Sequence, residues 1–214
     1  ASNRKRLLLV LLAALSWHGA ALAAGAGLVP CDRFDTKRVT DMAALQRGAK
    51  LFVNYCLNCH SAGFMRYNRL RDIGLTDKQI AENMTFATDK IGETMKVAMD
   101  PNLAKAWFGK NPPDLTLIAR SRASATAGPG TDYLYTLLRS YYRDDTKPTG
   151  WNNKAMPNIG MPNPLWELQG EQKPVMQKVM SHGHEIEVLD QSIRLVGRIE
   201  SPAEFEQNVG DLGA

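Results

Sequence analysis

At 214 residues, with 44% apolar and 22% charged side chains, the chain has the size and composition of one globular domain, which excludes disordered and fibrous classes. Its formal charge of +4 hints at a polyanionic partner, but three of the basic residues cluster at the start, as Arg4-Lys5-Arg6. An apolar run from Leu7 to Leu15 and the small-residue site Ala21-Leu22-Ala23 follow, which together make a secretory signal peptide over residues 1–23. The run is well short of the ~20 residues that a membrane-spanning helix needs. Cleavage after Ala23 removes three basic residues and no acidic one, taking the charge from +4 to +1 and leaving residues 24–214 as the exported domain. A near-neutral surface has no footprint for nucleic acid.

The three cysteines cannot form a disulfide framework, and Cys31 stands alone after Pro30. It reads as a buried or loop thiol without chemistry. The first strong helix is expected over Asp41–Tyr55, capped by Thr40, with Met42, Leu45, Ala49, Phe52 and Val53 along one stripe. It delivers the chain to Cys56. A second helix runs from Asp77 to about Met84 behind the cap Thr76. The pair Asp100-Pro101 opens a third, which reaches Phe108 before Pro112-Pro113 stops it. Asp132 to Tyr142 is a fourth, aromatic-rich helix, and Lys147 to Pro164 reads as a long ordered loop. A small hairpin is expected from His184–Leu189 and Ser192–Ile199 around Asp190-Gln191. Ser201-Pro202-Ala203-Glu204 then starts a last helix with a capping-box pair. The fold class is mostly α.

Cys56-Leu57-Asn58-Cys59-His60 carries the chemistry. C-x-x-C-H is the attachment signature of c-type haem: two thiols add to neighbouring vinyl groups, and the next histidine lies under the iron. A redox pair would sit near a βαβ pattern, and a zinc site would need two further spaced ligands. Neither is seen, so one motif means one covalent haem c with His60 as an axial ligand. The sixth ligand decides whether the haem carries electrons or handles small molecules. His182 and His184 flank a glycine and read as surface residues, with a metal clip as the alternative. Met161, in the loop Asn158-Ile159-Gly160-Met161-Pro162-Asn163, is the leading candidate, and Met156 is its rival.

CLNCH with its leading helix, Ser61 to Tyr67, PPDLTLIARSR (Pro112 to Arg122), DYLYTLLRSYY and NIGMPNPL occur in an order that resembles the cytochrome c1 family, haem subunits of the ubiquinol–cytochrome c reductases of proteobacterial and mitochondrial membranes. The resemblance spans nearly all of residues 24–214 and implies a c-type cytochrome fold with long loop insertions and a small β-hairpin. It implies His60 and Met161 as the iron's axial ligands, and a haem propionate held by Arg122, or second by Arg120. It implies electron entry from a Rieske-type iron–sulfur protein beside cytochrome b, and exit to a soluble cytochrome c, with no substrate chemistry of the subunit's own. The expected location is the periplasmic face of a bacterial inner membrane. Family members end in a membrane anchor, so one is expected beyond Ala214, along with more of a terminal helix that crosses the first near Gly48. A freestanding soluble electron carrier is the alternative.

Overall fold

The computed structural model describes residues 30–124, 128–181, 183–195 and 202–214. The expected signal peptide therefore lies outside the described residues, as do His182, residues 196–199 of the expected hairpin and the cap Ser201. Among the described residues helix is the main secondary structure, with three separate two-stranded sheets. A 3-10 turn at Thr36–Thr40 leads into helix α1, Met42–Leu51. The cap is Asp41 rather than Thr40: its carboxylate accepts from the N–H groups of Ala43 and Ala44, while the Thr40 hydroxyl donates to the Lys37 carbonyl and closes the preceding turn. The helix stops at Leu51, and one wider π turn, Phe52–Cys56, carries the chain on to Cys56.

Strand β1, Ala62–Arg66, pairs with β2, Thr94–Met95, around a 3-10 segment at Tyr67–Ile73 and helix α2, Asp77–Asn83. Thr76 caps α2 in a reciprocal box with Gln79. Helix α3 covers Pro101–Phe108 behind the Asp100 cap, as expected. The short helix α4, Ile118–Arg122, packs along α5, Gly130–Arg139.

The sequence runs α5 on to Tyr142, but the chain turns extended at β3, Tyr141–Arg143, which pairs with β4, Trp151–Asn153, inside the expected loop. Buried Asn153 forces the change. It donates to the Leu137 carbonyl and accepts from the Ser140 hydroxyl, holding the end of α5 against the incoming strand. After the short helix α6, Trp166–Gln169, the hairpin also departs from expectation. Strand β5, Gln172–Ser181, pairs with β6, His184–Leu195, so His184–Leu189 and the described residues 192–195 fall in one strand and Asp190-Gln191 is not a turn. The turn lies at Gly183, whose φ of +81° suits a residue without a β-carbon.

The last helix, α7, spans Pro202–Leu212. In the fold it has three turns and buries Phe205 and Val209 against Leu165. It crosses α1 at Gly48, where a β-carbon would strike the Asp211 carbonyl. The fully buried Asp211 carboxylate accepts from Arg38 and Arg47, each at 2.6 Å. Gly48→Ala is expected to lower stability by roughly 1–3 kcal/mol through overpacking at this crossing. An unchanged midpoint in chemical denaturation would mean that the helices do not need so close an approach.

Candidate haem-attachment site

The Leu57 N–H reaches the Phe52 carbonyl at 3.0 Å, and the N–H groups of Cys59 and His60 both bond the Cys56 carbonyl, at 3.1 and 2.9 Å. These bonds wind Cys56 to His60 into a single tight turn. Leu57 is buried in the cluster of Val53, Tyr67, Leu70 and Ile80, which anchors that turn. Asn54 and Asn58 face outward and donate back to the Lys50 and Asn54 carbonyls. Cys56, Cys59 and His60 lie between those faces, half-buried, and both thiols are free of any disulfide. Burial pushes the Cys56 thiol up to about 12, with the neighbouring Cys59 adding to the effect, and burial raises Cys59 as well. Groups kept as neutral thiols are poor partners for disulfide exchange, which argues against a redox pair.

His60 Nδ1 lies 2.8 Å from the Pro113 carbonyl oxygen. A carbonyl can only accept, so Nδ1 carries the proton and Nε2 keeps its lone pair for a metal. The segment after Pro113 is laced to the chain after the motif. The Leu115 N–H donates to the Ser61 carbonyl at 2.7 Å, and Asp114 Oδ2 accepts from the Gly63 N–H, also at 2.7 Å. The Phe64 N–H reaches the Thr116 hydroxyl. Hydrogen bonds from Thr116 and from the Gly63 N–H hold the Asp114 carboxyl below its ordinary range, against a smaller opposing effect of burial. Thus the aspartate of PPDL fixes the segment that presents the Pro113 carbonyl to His60.

Met161 and Met156 are both half-buried and pack against one cluster of Tyr133, Leu137, Tyr141, Trp151 and Ile159. Buried asparagines shape the loop that carries them. Asn153 Oδ1 accepts from the N–H groups of Ala155 and Met156, and Asn152 Oδ1 from that of Asn158. Asn158 itself sits in left-handed backbone, φ +62°, immediately before Ile159-Gly160-Met161. The Phe108 carbonyl and Lys110 lie just under 4 Å from where a Gly160 β-carbon would be, an ordinary contact. Residues 108–113 therefore touch the methionine loop at one end and His60 at the other.

Arg120 and Arg122 are exposed on α4, and the Arg122 guanidinium lies 5.7 Å from the centre of the Tyr133 ring, beside the methionine cluster. Cys31 is half-buried against that same cluster. His184 is exposed at the ribbon turn, and among the described residues no group of three His, Cys, Asp or Glu side chains is placed to hold a metal. Sequence reasoning passed over Asp114, Asn152, Asn153 and the Pro113 carbonyl. The one signal for them was a pair of asparagines beside a tryptophan, together with a Pro-Pro-Asp turn.

The residues present fit a haem. Two thiols stand at attachment spacing beside an imidazole with Nε2 free, and separate apolar clusters back the attachment turn and the methionine loop. Very exposed Phe64 and Leu117 flank the laced segment, apolar surface that a macrocycle can use.

Comparison with known proteins agrees. The model of the Cytochrome C1 family matches residues 34–182. Cytochrome c1 of Allochromatium vinosum is 42% identical over 173 residues, covering 80% of this chain and 68% of its own length. A Nitrosomonas europaea protein named ammonia monooxygenase gamma subunit is 42% identical over 166 residues, 78% of this chain and 65% of its own length. Cytochrome b/c1 of Bradyrhizobium diazoefficiens is 27% identical over 171 residues, 60% of this chain and 25% of its own length. The chain thus spans about two thirds of the first two relatives. Attachment turn, laced proline carbonyl, methionine loop and family match all agree: the chain belongs to the cytochrome c1 family, whose members carry one covalently bound haem c.

Proposed function

We propose that this protein is the monohaem electron-transfer subunit of a membrane ubiquinol–cytochrome c reductase, passing electrons from a Rieske-type iron–sulfur protein to a soluble cytochrome c. The observation that carries the reading is the bond between His60 Nδ1 and the Pro113 carbonyl, which leaves Nε2 as an oriented metal ligand. The bound haem supplies a one-electron ferric/ferrous couple. Cys56 and Cys59 would hold it as thioethers, and His60 and Met161 would ligate its iron. Arg122, or failing it Arg120, pairs with a propionate.

With His60 and Met161 both serving as ligands, the iron would have no open site for oxygen or small-molecule chemistry. A thioether ligand favours ferrous iron and gives a high potential, which suits a late carrier. The composite name of the Bradyrhizobium relative supports assembly with a cytochrome b subunit. Residues 1–23 would take the domain across the inner membrane to the periplasmic face, where the thioethers form. Among the described residues no helix is long and apolar enough to cross a membrane.

Native protein should leave the membrane only with detergent and co-purify with a b-type cytochrome and an iron–sulfur protein. Recovery solely from a soluble extract, with no such partners, would favour a freestanding carrier. Haem colour is expected to stay with the polypeptide in a denaturing gel and to vanish from it when Cys56 and Cys59 are both alanine. Extraction of the haem from unaltered protein by acid acetone would refute the covalent link.

Met161→Ala is expected to lower the reduction potential by on the order of 100 mV, well inside the ~0.8 V range over which axial ligands set haem potentials, and to admit carbon monoxide to the ferrous iron. Met156→Ala should do neither. If Met156→Ala instead gives the carbon monoxide complex, the two methionines exchange roles.

A further inference from the structure

Two features of the stretch from α3 to α4 serve neither the core nor the haem. The first is apolar. Leu103 and Trp107 sit one turn apart on α3 and are 49% and 65% exposed, while the helix buries only Ala104. Tryptophan is mostly buried in folded proteins, yet this one stands in solvent. Its ring is held edge-on to Phe108, with 6.4 Å between ring centres, so it is a fixed surface rather than a loose side chain.

The second is charge. From Leu103 to Arg122 the chain has four basic residues against one acidic, whereas the whole chain is nearly balanced at 26 to 22. Lys105, Lys110 and Arg120 are exposed, and among the described residues none of them pairs with a carboxylate. Asp114, the one acid of the stretch, is taken up by the Gly63 and Thr116 N–H groups. Asp100 caps the opposite end of α3, about 12 Å away along the helix axis. Solvated cations alone mean little. Cations around an exposed, fixed tryptophan have the anatomy of an interface, with an apolar centre and a charged rim.

The patch adjoins the proposed haem site on its methionine side. Lys110 Cε and the Phe108 carbonyl lie 3.8 and 3.9 Å from where a Gly160 β-carbon would be, next to Met161. From Lys110 the chain runs straight to the Pro113 carbonyl at His60.

We propose that Leu103 and Trp107, rimmed by Lys105, Lys110 and Arg120, form the docking face for the soluble electron acceptor, and that this acceptor carries an acidic rim around its own redox centre. This rests on the electron-carrier reading above and specifies the chemistry of its partner. An acceptor that must arrive, take one electron and leave needs a small contact and long-range charge to speed its approach. The iron–sulfur donor, held in the same assembly, has no such need. An anionic lipid surface also attracts lysines beside a tryptophan, but it would cover the methionine side of the haem and close that side to any acceptor.

Stopped-flow oxidation of the ascorbate-reduced protein, in its intact membrane assembly, measures electron exit whatever supplies the electron. The probe is one soluble c-type cytochrome in two forms, with the residues around its haem edge made either lysine or glutamate. At low ionic strength the glutamate-rimmed form should be reduced roughly tenfold faster or more, and the difference should collapse as salt is raised. Lys105→Glu combined with Lys110→Glu should reverse the preference while the haem spectrum and reduction potential stay put. Trp107→Ala should raise the half-saturating acceptor concentration and leave the salt dependence intact. If the double variant fails to hold haem, Lys105→Glu alone, an exposed change, should narrow the preference.

Equal rates for the two forms, a preference for the lysine rim, or a preference that Lys105→Glu leaves intact overturns the inference. So does charge reversal that slows only reduction by the iron–sulfur protein, which would make this the donor's face. Trp107-dependent binding to phosphatidylglycerol vesicles with unchanged acceptor rates also overturns it, in favour of a membrane contact. Failure of quinol to reduce the haem in the unaltered assembly would instead defeat the proposed function and leave the exit measurement standing.

Discussion

The crossing of α1 and α7 at Gly48 is the constraint on which the rest of the fold depends. The attachment turn has no element of its own to stand on, since it is the C-terminal continuation of α1. Its position is set by where that helix lies. Two features hold the helix: the missing side chain at Gly48, which lets the backbones touch, and the Asp211 carboxylate enclosed by Arg38 and Arg47. A buried carboxylate is costly to desolvate, and here two guanidinium donors at short range compensate it. The pairing also specifies alignment, because Asp211 meets both arginines only when α7 lies across α1 at the observed point. Arg139 ties the other side of α7 to the rest of the molecule through Glu206, and also reaches Asp32 near the start of the described chain.

The two sides of the site are built by different physics. The histidine side is a helix end fixed by an apolar anchor, Leu57, and by one carbonyl from a proline. Proline has no N–H and a fixed φ, so its carbonyl direction is well defined. The methionine side is loop, and a loop that must present a side chain in one place needs internal bonds in place of a helix ladder. Asn152 and Asn153 provide them, each oxygen accepting from more than one donor while their amides reach Asp144 and Leu137. Segment 108–113 joins the two sides, so a displacement of one is felt by the other.

Much of this was legible beforehand. Short-range rules gave α2 and α3 almost to the residue, because Thr76 with Gln79 and Asp100 with Pro101 are local devices that owe nothing to distant contacts. The apolar stripe located α1, and the family resemblance located its crossing at Gly48. What failed was decided by structure outside the element being read. Thr40 and Asp41 are both good caps, and only the preceding 3-10 turn distinguishes them. Tyr141 and Tyr142 continue the helical stripe of α5, yet pairing with β4 overrides it. The hairpin departs from expectation because the apolar phase shifts across Asp190-Gln191 at an irregularity in the β5–β6 ladder, while the turn itself lies at Gly183. At the site, the cysteines and histidine announce themselves by spacing. Pro113 acts through its main chain, which no side-chain pattern reveals.

The wide turn at Phe52–Cys56 makes the distance between helix crossing and haem attachment a fixed quantity. Each residue of an ordinary helix advances its side chain by about 100° around the axis. Closing one turn over five residues rather than four re-aims everything beyond it by a comparable angle, so the bearing of Cys56 relative to Gly48 combines a regular segment with a single deliberate misstep. A chain that added or dropped one residue here would keep its apolar stripe and its attachment signature, yet point the thiols away from the groups that Pro113 and the methionine loop hold in wait. The nine positions from Gly48 to Cys56 therefore behave like the teeth of a gear.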